Sequence, residues 1–374
     1  MNSVNKLLQK IFNTSKYQII NRYAVMSQST TENKRAYYFS TPVFKKSDNK
    51  PIKPNFQKYA EYFFYNGSNG TTKIYGDHAV LSNGTVEIHL SWNERKNILM
   101  SENGNVLKTQ DMVIFPTFNG IAIRQRGNKM KLYIKASKHF DVRSNTKYFA
   151  FMKSKFEPIV TFNAMFAENR YRDIFYNTII RSRKITDTSY EIDITSDSSD
   201  AFQLTYDINL YEPKLIQDTT VESKMPKENN AYGNISFLGK SNCFGTQLLY
   251  SRIDVSKMDL PTDLKIDNVK LHIPYYAVNG NDFRISVPIK RFCSFGSNWN
   301  NKIPYSNAVL SGTRNNGYIT FDISKYVISK TGKWNPNEGF VIQSRGEHFS
   351  IIGTGDNYYT PQIIEITFKN KGEK

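Results

Sequence analysis

A series of asparagine–glycine pairs constrains this chain more than any other feature. Asn66-Gly67, Asn69-Gly70, Asn83-Gly84, Asn103-Gly104 and Asn119-Gly120, with Gly127-Asn128 beyond them, punctuate its first half. Asn and Gly tolerate the positive φ angles that tight hairpin turns demand, so such pairs between alternating apolar runs predict antiparallel hairpins. The runs are present. Tyr59–Tyr65, Thr71–Tyr75, Thr85–Trp92, Met112–Phe115, Gly120–Gln125, Met130–Ala136, Lys147–Met152 and Ile159–Phe166 all read as strands. Lys129–Lys135 (KMKLYIK) alternates residue by residue, as a half-buried strand does. Residues 168–186 fit a strand or a short helix, and Tyr190–Ile194 and Phe202–Leu210 are again strands. The expected class is all-β, beginning with a β-sandwich-like domain.

The flanks are less regular. Val4, Leu7, Leu8, Ile11 and Phe12 recur at helical spacing, which predicts a short amphipathic helix or arm over residues 3–13, packed on its own domain or on an assembly partner. Residues 30–58 are polar and hold Pro42, Pro51 and Pro54, as an irregular or edge-strand region would. Glu212-Pro213 closes the first half. The expected organisation is an arm (1–30), a β-rich anchoring domain (31–213) and a C-terminal module (214–374). The lysines and Arg22 scattered through the first 25 residues do not fit a secretory signal, and no stretch is apolar enough to span a membrane. These features predict synthesis in the cytoplasm, with release by lysis or within a larger particle. Cys243 and Cys293 form no CxxC motif and are expected to be buried thiols; a disulfide between them requires Cα atoms within about 7 Å.

The second half follows one pattern of short strands. Asp218-Thr-Thr-Val221 opens it, and Ala231-Tyr232-Gly233 precedes a strand ending Phe237-Leu238-Gly239. Gln247-Leu-Leu-Tyr-Ser-Arg-Ile-Asp-Val-Ser256 and the strand Ile266–Ile273 come next. Ser297-Asn-Trp-Asn-Asn-Lys-Ile-Pro304, Gly317-Tyr-Ile-Thr-Phe-Asp-Ile-Ser324, Asn337-Glu-Gly-Phe-Val-Ile342 and Pro361-Gln-Ile-Ile-Glu-Ile-Thr-Phe368 complete it. This ordered set resembles the DNRLRE-domain family of jelly-roll, carbohydrate-binding-like modules. That family opens with Asp-x-x-Val and Asn-Tyr-Gly, continues through Arg-Leu-Leu-x-Arg-Phe-Asp-Leu-Ser and Trp-Asn-Asn-x-Pro, and closes on a Pro-x-Leu strand. Gln247, Ile253 and Ala231 stand where the family has Arg, Phe and Asn. The resemblance implies a C-terminal jelly-roll β-sandwich from about Lys214.

The signatures of common catalysts are missing from the sequence. The histidines show no HExxH spacing, and there is no GxSxG elbow, Walker A loop or GxGxxG ahead of a helix. A β fold can still pair two carboxylates for glycoside hydrolysis, but nothing marks a pair. Neither cofactor nor metal is expected; the acidic Ser196–Asp200 stretch reads as a solvated turn without EF-hand spacing. Trp299 reads as a core plug or a sugar platform, and Asp322 as a partner for loop amides. Tyr275 and Tyr276, with Asn279, Asn281 and Asp282 in the following loop, and Tyr358 with Tyr359, are the candidate ligand-binding residues. Tyrosine rings stack on sugars while their hydroxyls bond to them, although tyrosines at strand ends also serve as ordinary core and rim residues.

The formal net charge of +17 favours contact with anionic polymers, without the dense basic run or motif of a specific nucleic-acid binder. These readings converge on a non-enzymatic structural or host-recognition component of a phage or phage-tail-like particle, in its tail, baseplate or fibre. Its partners would be other particle proteins and cell-wall glycan or an anionic wall polymer. It would be oligomeric within an assembly, without membrane insertion. The alternatives are a glycan-binding surface protein or adhesin, and a polysaccharide-degrading enzyme carrying a binding module.

Overall fold

The computed structural model describes residues 3–13, 16–27, 34–92, 94–171, 175–278, 282–307, 309–335, 338–346 and 349–370. Among them the regular structure is almost entirely antiparallel strand. The α-helices are Ser3–Phe12 and the single turn Ser324–Val327. The chain divides into two compact units, residues 52–213 and residues 1–51 together with 214–374.

Residues 52–213 form a sandwich of two sheets. An eight-stranded sheet runs Thr178–Thr186, Ser189–Ser196, Lys129–Ala136, Glu87–Ser91, His78–Ser82, Thr71–Ile74, Phe63–Asn66, Gln57–Lys58. The nine-stranded sheet facing it is built around Glu157–Glu168, Gln203–Leu210 and Gly120–Arg126. Alternation decides which residues meet. On Lys129–Ala136 the side chains of Leu132, Ile134 and Ala136 are buried while Lys131, Tyr133 and Lys135 face out. The two sheets touch through aromatic rings: Tyr190 of the first lies 5.2 Å from Phe149 and 5.6 Å from Phe151 of the second.

Of the Asn–Gly turns, those at Gly84 and Gly104 (φ +65°) use the positive φ that glycine allows, while Gly67, Gly70 and Gly120 do not. Gly84 takes φ +83°, and the Asn83 side chain accepts hydrogen bonds from the amides of Thr85 and Val86 to close the hairpin. Gly127-Asn128 acts differently. It joins Gly120–Arg126 to Lys129–Ala136, which belong to different sheets, so it carries the chain across the sandwich. Gly127, at φ +124°, donates its amide to the Phe202 carbonyl rather than closing a hairpin. The ambiguous 168–186 region contributes the strands Phe175–Tyr176 and Thr178–Thr186.

The second unit is a sandwich-like fold built from one continuous sheet that curls onto itself. One layer orders Tyr17–Asn21, Ala24–Ser27, Arg35–Phe39, Ile363–Asn370, Leu264–Ala277 and Tyr318–Asp322. The other orders Ile216–Glu222, Gly245–Ile253, Phe340–Arg345, Asp282–Ser286 and Leu310–Ser311. Two strands turn the corner. Ile235–Ser241 pairs first with Ser350–Gly353 and then with Gly245–Ile253, and Leu264–Ala277 ends beside Ser350–Gly353. Between the layers Leu271, Val269, Ile364 and Ile366 meet Leu249, Phe283, Phe340 and Ile342, all buried. Each such side chain contributes about 1.5–3 kcal/mol relative to exposure.

The first 51 residues therefore depart from the expected division. Arg35–Phe39 is no edge strand: it pairs on one side with Ala24–Ser27 and on the other with Ile363–Asn370, with Tyr37 opposite Glu365. Residues 31–51 cluster with the C-terminal segment, and 52–213 is an insertion between strands of one sandwich. The N-terminal helix belongs to the same unit. Leu8 is fully buried, and the Phe12 ring lies 4.4 Å from Tyr37 and 4.9 Å from His272. No disulfide joins the cysteines. Contrary to expectation neither is buried: Cys243 is half-exposed and Cys293 exposed. Both lie outside the strands, where the alternation that identifies inward positions does not apply.

Candidate functional site

Of the two tyrosine pairs nominated from sequence, the structure brings one member of each to a single anchor. Tyr275 and Tyr276 are consecutive on a strand, so their side chains take opposite faces. Tyr275 packs on the sandwich core, and its amide donates to the Gly317 carbonyl. Tyr276 donates its hydroxyl to Asn357 Oδ1 at 2.9 Å. The same oxygen accepts the amides of Tyr359 at 3.1 Å and Thr360 at 2.8 Å, while Asn357 Nδ2 donates to the Asn234 carbonyl. Asn357 thus pins the loop that ends in Tyr359, whose side chain stays 41% exposed. Tyr358 is 1% exposed and presents no platform, which corrects its nomination as a ligand residue; Asn357 turns the chain so that one tyrosine faces in and the next out. Asp282 pairs with Arg284 Nε at 2.5 Å, which raises the guanidinium pKa. Asn279 and Asn281 lie outside the described residues.

Trp299 is half-buried against Val221, Leu248, Tyr250, Phe292 and Val341, with the Lys302 ammonium 4.0 Å from its ring centroid. Asp322 accepts from the Ser324 amide and hydroxyl and from Asn268 Nδ2. These contacts, with burial opposing them, leave its carboxyl below the usual range. Ser196 ends the strand Ser189–Ser196, and the bend and turn that follow expose Asp197, Ser199 and Asp200. Among the described residues no group of three or more His, Cys, Asp or Glu side chains is arranged to hold a metal ion.

Two clusters escaped the sequence reading. The first is buried. Lys214, at the entry to Ile216–Glu222, directs Nζ to Asp218 Oδ1 at 3.2 Å, to the Ala231 carbonyl at 3.0 Å and to Asp356 Oδ2. Asp218 Oδ2 accepts the Gly355 amide. Glycine is required there: a Cβ at 355 would stand 2.4 Å from the Ile216 carbonyl oxygen. Burial pushes the Asp218 carboxyl up, and the Lys214 ammonium offsets this only in part. For Lys214 burial acts downward, but the two aspartates win and hold its amine above the ordinary lysine value. Lys214 and Asp218 are four residues apart but Asp356 lies 142 residues from Lys214, and only the opening Asp-x-x-Val motif hinted at one of the three.

The second cluster is a ladder of rings on the outer face of the eight-stranded sheet. Tyr59 stacks on Tyr62 at 5.1 Å, Tyr62 approaches Tyr75 at 5.4 Å, Tyr75 stacks on His78 at 4.4 Å, and His89 follows at 6.2 Å. Tyr75 and His78 flank the Gly76-Asp77 turn, and His78 Nδ1 contacts Asp77 at 2.7 Å. Lys73 lies 5.3 Å from the Tyr62 ring. Rings stacked on each other show edges and hydroxyls to solvent rather than open faces. The ladder therefore offers hydrogen bonds more than a flat sugar platform. Its sequence signal was the placing of Tyr59, Tyr62 and Tyr75 beside the ends of adjacent strands, with His78 and His89 at outward positions within them.

A comparison with protein-family models and with curated proteins finds no match to this chain.

Proposed function

We propose that the protein is a non-enzymatic structural or host-recognition component of a phage or phage-tail-like particle, whose C-terminal unit contacts cell-surface glycan or a neighbouring subunit. The observation that carries this reading is the Asn357-centred rim. A tyrosine is held exposed by a loop whose backbone is fixed on both sides, which limits the entropy lost when a ligand stacks on it. Two antiparallel sandwich-like units also suit a load-bearing particle protein. The phage setting itself rests on the family resemblance of residues 218–368. The charge of +17 gives the chain a general attraction to anionic wall polymers, which salt should weaken.

Two experiments test the reading. Mass spectrometry of particles released by lysis should find the chain as a stoichiometric component; its consistent absence from them would remove the particle role. Glycan-array and wall-polymer binding by the full chain should fall on Tyr359→Ala without a change in unfolding midpoint. Binding indifferent to Tyr359→Ala would shift the rim to a subunit contact. Turnover of a polysaccharide by the purified chain would overturn the non-enzymatic assignment.

A further inference from the structure

The Lys214–Asp218–Asp356 cluster holds the reactants for a covalent bond. Lys214 and Asp356 stand 142 residues apart in sequence, yet the amine and the carboxyl group are in direct contact. Both side chains are sealed from water, at 3% and 4% exposure, and Asp218, at 1%, touches the same amine. In water an ammonium and a carboxylate stay charged and do not condense. In a sealed site the ion pair loses its hydration, which brings the neutral amine–acid pair closer to it in energy even though the two aspartates hold the Lys214 amine above the ordinary lysine value. Two carboxyls and one amine also cannot all be ionised there without leaving a net negative charge. One proton therefore remains on the acids, and the raised pKa of Asp218 is in keeping with this. Fixing the partners in contact supplies an effective concentration of about 10⁵–10⁸ M for well-aligned groups.

We infer that Lys214 and Asp356 condense into an intramolecular isopeptide bond, with Asp218 carrying the proton. The ammonium first passes a proton to the Asp356 carboxylate, leaving a neutral amine and a neutral acid. The Nζ lone pair attacks Asp356 Cγ and the C–N bond forms. Asp218 gives its proton to the departing hydroxyl as the C–O bond breaks and one water leaves, and its carboxylate takes the proton that the nitrogen loses. Lysine ammonium and aspartate carboxylate thus become amide and water, with no oxidant, metal or cofactor required. The Gly355 amide on Asp218 Oδ2 and the Ala231 carbonyl on Nζ hold the two groups in register. The bond would tie the start of the 214–374 segment to the loop before its last strand.

The test is the intact mass of the purified full chain in denaturant. The expected mass is lower than that of the sequence by one water, and a protease digest should yield a branched peptide joining Lys214 to Asp356. Asp356→Asn should condense with loss of ammonia instead, a signature no ion pair can produce. Asp218→Asn and Lys214→Arg should return the full sequence mass, with circular dichroism reporting whether each has folded. Folded wild-type chain at full sequence mass overturns the proposal without reference to any variant. Loss of water that maps to other residues overturns it equally, and Asp218→Asn that still loses water removes Asp218 from the mechanism.

Discussion

Replacing Gly355 by alanine probes the packing of the buried cluster with a single methyl group. The added Cβ would lie 2.4 Å from the Ile216 carbonyl oxygen and 3.1 Å from Asp218 Oδ2. The first distance is about 1 Å short of ordinary contact, and the neighbour is backbone, which cannot rotate away. The loop must lift, and Asp356 lifts with it before any bond to Lys214 can form, leaving the Lys214 ammonium short of a carboxylate in a sealed site. Overpacking costs about 1–3 kcal/mol and a broken buried ion pair about 3–5 kcal/mol. A combined loss of roughly 4 kcal/mol or more follows, a large share of the roughly 5–15 kcal/mol that holds a domain together. Urea unfolding followed by tryptophan fluorescence measures it. Trp299 and Trp334 report on this unit, and Trp92→Phe in every variant silences the other. Gly233→Ala is the control, because its Cβ meets nothing closer than 3.5 Å; it should stay within about 1 kcal/mol of wild type. If both variants unfold at the same urea concentration, the close approach at Gly355 is refuted.

Glu365→Gln tests the pair beneath the N-terminal helix. Burial acts to raise the Glu365 pKa, but the hydrogen bond from His272 and the charges of His272, Lys270 and Arg35 outweigh it and hold the carboxyl below the ordinary 4.5. A depressed pKa contributes stability that is present above 4.5 and lost as pH falls through the folded value. The melting-temperature gap between wild type and variant should therefore close on acidification, and a constant gap would contradict the pairing. Tyr75→Ala removes the ring at the middle of the ladder and should cost about 0.5–1.5 kcal/mol per lost ring contact in unfolding of residues 52–213; an unchanged midpoint would show the stacking contributes nothing. Cys293 should react with a thiol reagent in the native state faster than Cys243, as its greater exposure requires, and equal rates would contradict that difference.

What could be read from sequence was what is local. The strands from Met112 to Phe166 emerged close to their observed limits because alternation and Asn–Gly turns act between neighbours. Arg35–Phe39 was missed because its second partner is Ile363–Asn370, and no nearby residue announces that pairing. Gly127-Asn128 resembled its hairpin neighbours, but which sheet receives the next strand is decided by long-range pairing. Tyr358 and Tyr359 were indistinguishable as a dipeptide; Asn357, bonded to residues on two other segments, separates them. The Lys214 cluster was invisible for the same reason, since Asp356 lies on a segment that only the finished fold brings to Lys214 and Asp218.

The pairing of Arg35–Phe39 with Ile363–Asn370 also sets a timetable. Ser40 and Gln362 meet across 322 residues, so this strand leaves the ribosome long before its partner exists. At roughly 5–20 residues per second the wait lasts about a quarter of a minute to a minute. Residues 52–213 find all their sheet partners within themselves and can fold during that interval. The segment Arg-Ala-Tyr-Tyr-Phe meanwhile stays available to chaperones and to other nascent chains. Only after Ile363–Asn370 has been made can Arg35–Phe39 dock against it.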